Sequence, residues 1–312
     1  MSFETVYDNV YERCTLCPRE CGVDRYKEKG FCGESAYVRI ARAELHKWEE
    51  PCLSPNGRSG TVFFSGCNLG CCFCQNYEIS SFHKGFKLTV SELAKTFLRL
   101  KDMGAENIDL VTPTHFVPSI IEALNLVKGR LELPVIYNCG GYEKPETLER
   151  LRGYVDVFLP DLKYFSPDLS DRFSHARNYF EYCSKSIQKM LDIARKPSYD
   201  KDGRLTSGVM VRHLVLPTCR HDSIALMNWL AESFDKDSIL ISLMSQFTPV
   251  FRSSEKGIGR RTTTFEYNSV VKIAENAGFD GFIQERSSAE NSYIPDFYDQ
   301  LYYDLSNTQN KV

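Results

Sequence analysis

The sequence has no uninterrupted apolar stretch of about 18 residues, the length at which a membrane-spanning helix becomes credible. Its first residues, Met1-Ser2-Phe3-Glu4, lack the charged and apolar regions of an export signal, so a cytoplasmic protein is expected. No surplus of one charge is present. The 38 basic side chains face 41 acidic ones, and the net charge of -3 gives no field to draw in nucleic acid or an anionic membrane surface. Internal repeats and low-complexity segments are missing too, and the hydrophobic (42%) and charged (25%) fractions are those of an ordinary globular chain. A length of 312 residues suits one large domain with a small appendage.

Cysteine is what the chain has in quantity. Twelve cysteines without an export signal are not expected to pair as disulfides, because cytosolic thiols are kept reduced. Nine of them fall between Cys14 and Cys74, which points to ligation of a metal or cluster. The first set is Cys14-Thr-Leu-Cys17-Pro-Arg-Glu-Cys21 with Cys32 between glycines. Those four thiolates suffice for a closed structural zinc or an auxiliary iron-sulfur cluster, with Cys52 as a spare ligand. The surrounding glycines and prolines favour turns, so residues 1–58 read as a loop-rich, metal-binding leader and 59–312 as the main domain with a C-terminal extension.

The second set is Cys67, Cys71 and Cys74, in Gly66-Cys67-Asn68-Leu69-Gly70-Cys71-Cys72-Phe73-Cys74. This spacing supplies three thiolates from one loop. A four-iron cluster usually takes four, so one iron would be left without a protein ligand and open to chemistry. A zinc site drawing its fourth ligand from elsewhere is the plainer alternative. Cys72 reads as packing, and Cys139 is the one scattered cysteine near a strand end.

From Gly60 onward short apolar runs alternate with helical patterns, the signature of βα units and a parallel sheet. Strands are predicted over 61–65, 108–112, 135–138, 155–160, 209–216 and 239–243. Between the first two, Val90, Leu93, Ala94, Phe97 and Leu98 follow a helical period, opened by the capping box Thr89-Val-Ser-Glu92 and stopped by Gly104. Pro118 suits a first helical turn. Two helical stretches are expected between 165 and 195, and a long mobile loop over 250–264, whose Arg252, Lys256, Arg260 and Arg261 could clamp an anionic or protein substrate or be merely solvated.

The triad, with the aromatic Phe73 before its third cysteine, resembles the motif of the radical SAM superfamily. Within it the chain is similar to the pyruvate formate-lyase activating enzyme homologues, through Cys74-Gln75-Asn76, Asp161-Leu162-Lys163 and Val211-Arg212-His213-Leu214-Val215-Leu216-Pro217, and the likeness extends over nearly the whole chain. The resemblance implies a partial TIM-type (β/α)6 barrel carrying a [4Fe-4S] cluster on Cys67, Cys71 and Cys74. It further implies that the open iron chelates S-adenosylmethionine, which an electron splits to a 5′-deoxyadenosyl radical. Hydrogen would be taken from a protein or peptide substrate, a glycine being the activating-enzyme case, with a reductant such as flavodoxin or ferredoxin.

The same resemblance makes Asn76, Asn138, Asp161 and Lys163 cofactor-binding candidates, Lys163 reaching the methionine carboxylate and Asp161 accepting hydrogen bonds. A surface ion pair is the alternative for the last two, a plain strand-to-helix turn for Asn138. After the second strand the usual Gly-Gly-Glu is replaced by Val111-Thr112-Pro113-Thr114-His115, so Thr112 and Thr114 are the substitute contacts for the amino group. Arg212 and His213 lie on opposite faces of the fifth strand, and period alone does not say which is inward. Gln246 follows the sixth strand and either faces the cofactor or is a loop amide. The competing reading from another class is an iron-sulfur or zinc electron-transfer or binding protein without radical chemistry.

Overall fold

The computed structural model describes residues 10–284. The expected C-terminal extension beyond 284 lies outside the described residues. In chain order the elements are β1 (Val38–His46), β2 (Ser59–Phe64), α1 (Tyr77–Ser80), β3 (Phe86–Leu88), α2 (Val90–Asp102), β4 (Asn107–Val111), α3 (Val117–Leu126), β5 (Val135–Cys139) and α4 (Pro145–Glu149). They continue with β6 (Val157–Pro160), α5 (Pro167–Ser174), α6 (Tyr179–Ala194), β7 (Ser198–Tyr199), β8 (Leu205–Leu214), α7 (Arg220–Ser233), β9 (Leu240–Met244), α8 (Thr264–Ala277) and β10 (Gly281–Ile283). No described helix is long and apolar enough to cross a membrane.

All six expected strands are present, and they pair in parallel in the order β2, β4, β5, β6, β8, β9, with β10 parallel beyond β9. Each follows its neighbour in sequence through a helical crossover, as in a TIM-type barrel, and the sheet stays open: a partial (β/α) barrel. The sequence pattern missed β1, which lies antiparallel on β2 and carries β3 on its other edge. Through β1, residues 38–46 of the leader share the sheet of the main domain.

Helices cover the convex face. Leu93 and Phe97 of α2, Ile120 of α3, Ile187 of α6, Leu226 of α7 and Val270 of α8 are fully buried in one cluster with Val62, Leu110, Val209 and Val211 of the strands. With helices outside and a filled interior, β2, β5 and β6 are buried at every position, which is why they read as continuous apolar runs. On the concave face Ile136, Val157, Leu159, Met210 and Leu240 form a second cluster with Leu205 and with Cys52 and Leu53 of the leader. Two residues along the same strands the concave side chains turn polar: Asn138, Asp161, Arg212 and Ser242. The C-terminal mouth is therefore the wet end of the barrel.

The segment 250–264 is held more firmly than its glycines and serines suggest. Ile258 is buried in the main core, Thr262 Oγ1 donates to the Val215 carbonyl at 2.7 Å, and Arg260 pairs with Glu266. Arg252 pairs with Glu255, so neither arginine stands as an unattached clamp.

α2 opens on Thr89, whose side chain accepts from the Glu92 N–H while the Glu92 carboxylate accepts from the Thr89 N–H. Thr89→Ala is expected to lower stability by about 1 kcal/mol, and Thr89→Ser to be near neutral, measured as shifts of the urea unfolding midpoint.

Candidate active site

β2 runs out at Phe64, and Ser65 and Gly66 turn the chain into the cysteine loop. Gly66 has φ +83, and a Cβ there would lie 2.6 Å from the Cys32 carbonyl oxygen, so only glycine fits. The three sulfurs are each met by a donor: Leu69 N–H to Cys67 at 3.4 Å, Ser174 Oγ to Cys71 at 3.0 Å and Ser80 Oγ to Cys74 at 3.3 Å. Burial pushes the Cys67 thiol up to about 11 and the Cys74 thiol up to about 12. As bare thiols they would stay protonated at neutral pH, and they become thiolates when a cationic centre binds. Phe73 packs edge-on against Tyr164, Phe173 and Phe247, which fixes the loop between its second and third ligands. Cys72 is buried, its N–H donating to the Phe173 carbonyl, which agrees with a packing role.

The loop borders a cavity of ≈ 570 Å³ at the mouth of the barrel, with Cys71, Phe73, Cys74 and Asn76 in its wall. Opposite stand Asn138, Asp161, Lys163 and Arg212. Lys163 Nζ pairs with Asp161 Oδ2 at 2.6 Å, Arg212 Nε with Asp161 Oδ1 at 3.0 Å, and Arg212 Nη2 donates to Asn138 Oδ1 at 2.6 Å. Asn138 Nδ2 donates onward to Asp109 Oδ2 at 3.3 Å. Burial pushes the Asp161 carboxyl up, but Lys163 and Arg212 outweigh it and hold it below the usual carboxylate range. Tyr179 braces this corner, its hydroxyl donating to the carbonyls of Asp161 and Gly140 and accepting the Lys163 N–H.

Gln246 also lines the cavity, its Oε1 accepting from Gln284 Nε2 at 3.0 Å. Three predicted contacts are not brought there. His213 points to the convex face, where Nδ1 meets the Leu162 carbonyl at 2.6 Å and burial depresses its pKa to about 4; strand alternation gives the cavity to Arg212 instead. Thr114 lies in a buried 3-10 turn and donates to Glu143 Oε1 at 2.7 Å. Thr112 leaves the strand in a left-handed conformation (φ 58) with its N–H donating to the Asn138 carbonyl, and its side chain is not in the wall. His115, beside them, supports the cysteine loop by contacting the Ser65 carbonyl at 2.7 Å.

Sequence reasoning missed the wall contributed by the leader: His46, Trp48, Glu49, Glu50 and Pro51. Burial, with the charges of Asp109 and Glu50, pushes the Glu49 carboxyl well above its ordinary range. Asp109, also missed, did carry a signal, a lone carboxylate inside an apolar strand, whereas Glu49 and Glu50 carry no spacing signal. Among the described residues no three His, Cys, Asp or Glu side chains converge as a single metal ion requires.

The radical SAM superfamily model matches residues 61–211, from β2 to β8. Over 289 residues the chain is 31% identical to "Uncharacterized protein MJ0674" of Methanocaldococcus jannaschii, covering 87% of this chain and 77% of that protein. The chain belongs to the radical SAM superfamily. It is also 25% identical, over 171 residues, to the pyruvate formate-lyase-activating enzyme of Listeria monocytogenes, a match spanning 52% of this chain and 63% of that enzyme. A radical SAM methyltransferase from Sphaerobacter thermophilus superposes with a TM-score of 0.49 at 15% identity, over 72% of this chain and 66% of that one.

Radical SAM membership implies a [4Fe-4S] cluster and S-adenosylmethionine, and the donor set fits both. Three thiols share one loop with hydrogen-bond donors on their sulfurs, two of the three stand in the cavity wall, and a partly buried cation, Lys163, lines the same cavity. Cluster potentials respond to hydrogen bonds on the sulfurs and to net charge, and both are present here.

Two outcomes follow. Asp161→Asn removes the anion between Lys163 and Arg212 and leaves two partly buried cations facing each other; a loss of about 3–5 kcal/mol is expected in urea unfolding. Burial pushes the Glu143 carboxyl up to about 7, against 4.5 when unfolded. The folded chain then keeps a proton that the unfolded chain loses, so this contribution is full below pH 4.5 and is lost as pH rises through about 7. Glu143→Gln keeps an acceptor for one of the Thr114 and Tyr137 hydroxyls and offers an N–H to the other, and should flatten that slope, worth about 3 kcal/mol, in urea titrations on either side of the window.

Proposed function

We propose that this protein is an activating-enzyme-like radical SAM enzyme that takes hydrogen from a protein or peptide, with a glycine as the target. The observation that carries the reading is the cavity itself, in which two triad cysteines face Asn138, Asp161, Lys163 and Arg212 across one space. The similarity to the Listeria enzyme, whose name states that it activates another enzyme, supports a protein substrate. A protein reductant of the flavodoxin or ferredoxin kind belongs to the same reading.

When bound, the cluster supplies one electron and an open iron site, and S-adenosylmethionine supplies the 5′-deoxyadenosyl radical. The chain's own residues do the rest. Lys163 meets the carboxylate of the methionine moiety as a point charge, oriented by its pair with Asp161. Asn138, with its carbonyl fixed by Arg212, and Asn76 and Gln246 offer amide donors and acceptors to the sugar and base. Phe73 and its aromatic neighbours, with Leu214, Leu216 and Met244, keep the wall beside the reacting atoms apolar. The leader set Cys14, Cys17, Cys21 and Cys32 belongs to this reading as a second metal site.

Anaerobically reconstituted and reduced protein should release 5′-deoxyadenosine from S-adenosylmethionine, Cys71→Ala should release none, and Lys163→Ala should weaken S-adenosylmethionine affinity by roughly tenfold, the loss of one charge-assisted contact. Equal product from wild type and Cys71→Ala ends the proposal. A reduced-cluster paramagnetic resonance spectrum indifferent to S-adenosylmethionine would favour the non-catalytic electron-transfer alternative.

A further inference from the structure

Four cysteines lie outside the radical SAM triad yet beside it. We infer that Cys14, Cys17, Cys21 and Cys32 ligate a second iron-sulfur cluster, joined to the triad by the backbone hydrogen bond between Cys32 and Cys67.

The leader is folded around these sulfurs. Cys14 N–H donates to the Val23 carbonyl and Gly22 N–H to the Cys14 carbonyl, both at 2.9 Å, and Glu20 and Gly22 take positive φ to bend the run back on itself. The sulfurs of Cys21 and Cys32 flank Gly30, where a Cβ would lie 3.4 Å from one and 3.8 Å from the other. Phe31 N–H donates to Cys21 Sγ at 3.2 Å. Cys14, Cys17 and Cys32 are buried, whereas Cys21 is partly exposed.

A buried cation calls for an anion in this place. Arg25 is fully buried, and its guanidinium donates to the carbonyls of Glu34, Ser35 and His115 and approaches Cys14 Sγ at 4.0 Å. The rings of Tyr11 and Phe116 also lie against it, but of these partners only the sulfur can carry a full charge, and a buried guanidinium without a counter-charge is unfavourable. Thiolates bound to a cluster of net negative charge supply the missing counter-charge.

The ligand pattern favours iron-sulfur over zinc. Structural zinc sites are built mostly from Cys-x2–4-Cys pairs, two and two. Here three ligands come from one short run and the fourth from a distance, a set that does not divide into two such pairs. Cys17 lies near enough to Cys14 and Cys32, and Cys32 near enough to Cys14 and Cys21, for their charges to act on one another.

Position gives the second cluster its use. The Cys32 carbonyl accepts the Cys67 N–H at 3.3 Å, so the last leader ligand and the first triad ligand touch through their backbones. Arg19 adds to the seam by donating to the carbonyls of Asn68 and Leu69 in the triad loop at 2.8 and 3.3 Å. An external iron-sulfur or flavin donor gives up one electron, the leader cluster gains it at the exposed Cys21 side, and the triad cluster receives it, with no bond made or broken. This transfer rests on the radical SAM reading; the ligation does not.

Full-length protein is reconstituted anaerobically and assayed for iron, acid-labile sulfide and zinc. Wild type should hold about eight iron and eight sulfide per chain, and a Cys67→Ala/Cys71→Ala/Cys74→Ala variant about four of each, with a paramagnetic signal that S-adenosylmethionine does not alter. Cys14→Ala/Cys17→Ala should lose half the iron and keep the S-adenosylmethionine response. Four iron in wild type with one zinc, or four iron with no further metal, overturns the inference even if a variant fails to fold. If instead wild type holds eight iron but makes no 5′-deoxyadenosine, the ligation stands and the radical reading falls.

Discussion

One carboxylate, Asp161, holds the mouth of the barrel in its working shape. It follows β6 and receives Arg212 from β8 on one oxygen and Lys163 on the other, while Arg212 reaches over to Asn138 of β5 and Asn138 to Asp109 of β4. This chain of contacts requires the parallel bridge that sets Asp161 level with Arg212. A slip of one residue would present His213 to the cavity and drive the guanidinium into the aliphatic layer beneath the helices. Register is therefore specified twice over, by the apolar alternation of the lower strands and by the ion network above them. Removing these charges from water carries a desolvation penalty, which the network offsets only because each of the three groups has a partner in good geometry.

The charge of the cavity is not its formal count. Arg212 feels Asp161 first and then Glu50, Glu49 and Asp109, so the cationic wall is balanced from below by carboxyls, two of which come from the leader. Two of them, Asp109 and Glu49, are harder to ionise than an exposed carboxyl. Burial pushes Asp109 to about 6 and Glu49 well above its ordinary range. A pocket built this way keeps positive potential at Lys163, next to the triad, and leaves protonatable groups deeper in the lumen. The apolar floor of Ile136, Leu159, Met210 and Leu240 closes it toward the other end of the barrel.

The strand order, the helical crossovers, the capping box at Thr89 and the triad were all legible in the sequence, because each rests on local pattern: alternation, a 3.6-residue period, a spacing. Asn138, Asp161 and Lys163 were legible as residues just beyond apolar runs, where a parallel strand delivers side chains to its mouth. His213 against Arg212 was not decidable, since the two faces of a doubly covered strand are both apolar and the deciding fact is a partner on another strand. Thr114 looked available because its sequence neighbours gave no hint of Glu143, which lies across β5 and claims its hydroxyl. The contribution of Trp48, Glu49 and Glu50 was invisible for a similar reason: a loop becomes a cavity wall only when β1 and β2 pair and fold it over the barrel.

That pairing also answers why the leader and the barrel behave as one unit at the triad. Gly66 precedes the first ligand, and its positive φ and lack of a side chain let the Cys32 carbonyl come close enough to accept the Cys67 N–H. Arg19 and Arg25 then donate to carbonyls on the barrel side, from Asn68 and Leu69 to Ser174 and His115. Because the first ligand hangs from a backbone held on one side by β2 and on the other by the leader, its sulfur cannot move without disturbing both. The loop that bears the radical SAM triad is thus preorganised by two separate parts of the chain, and only one of them is the barrel.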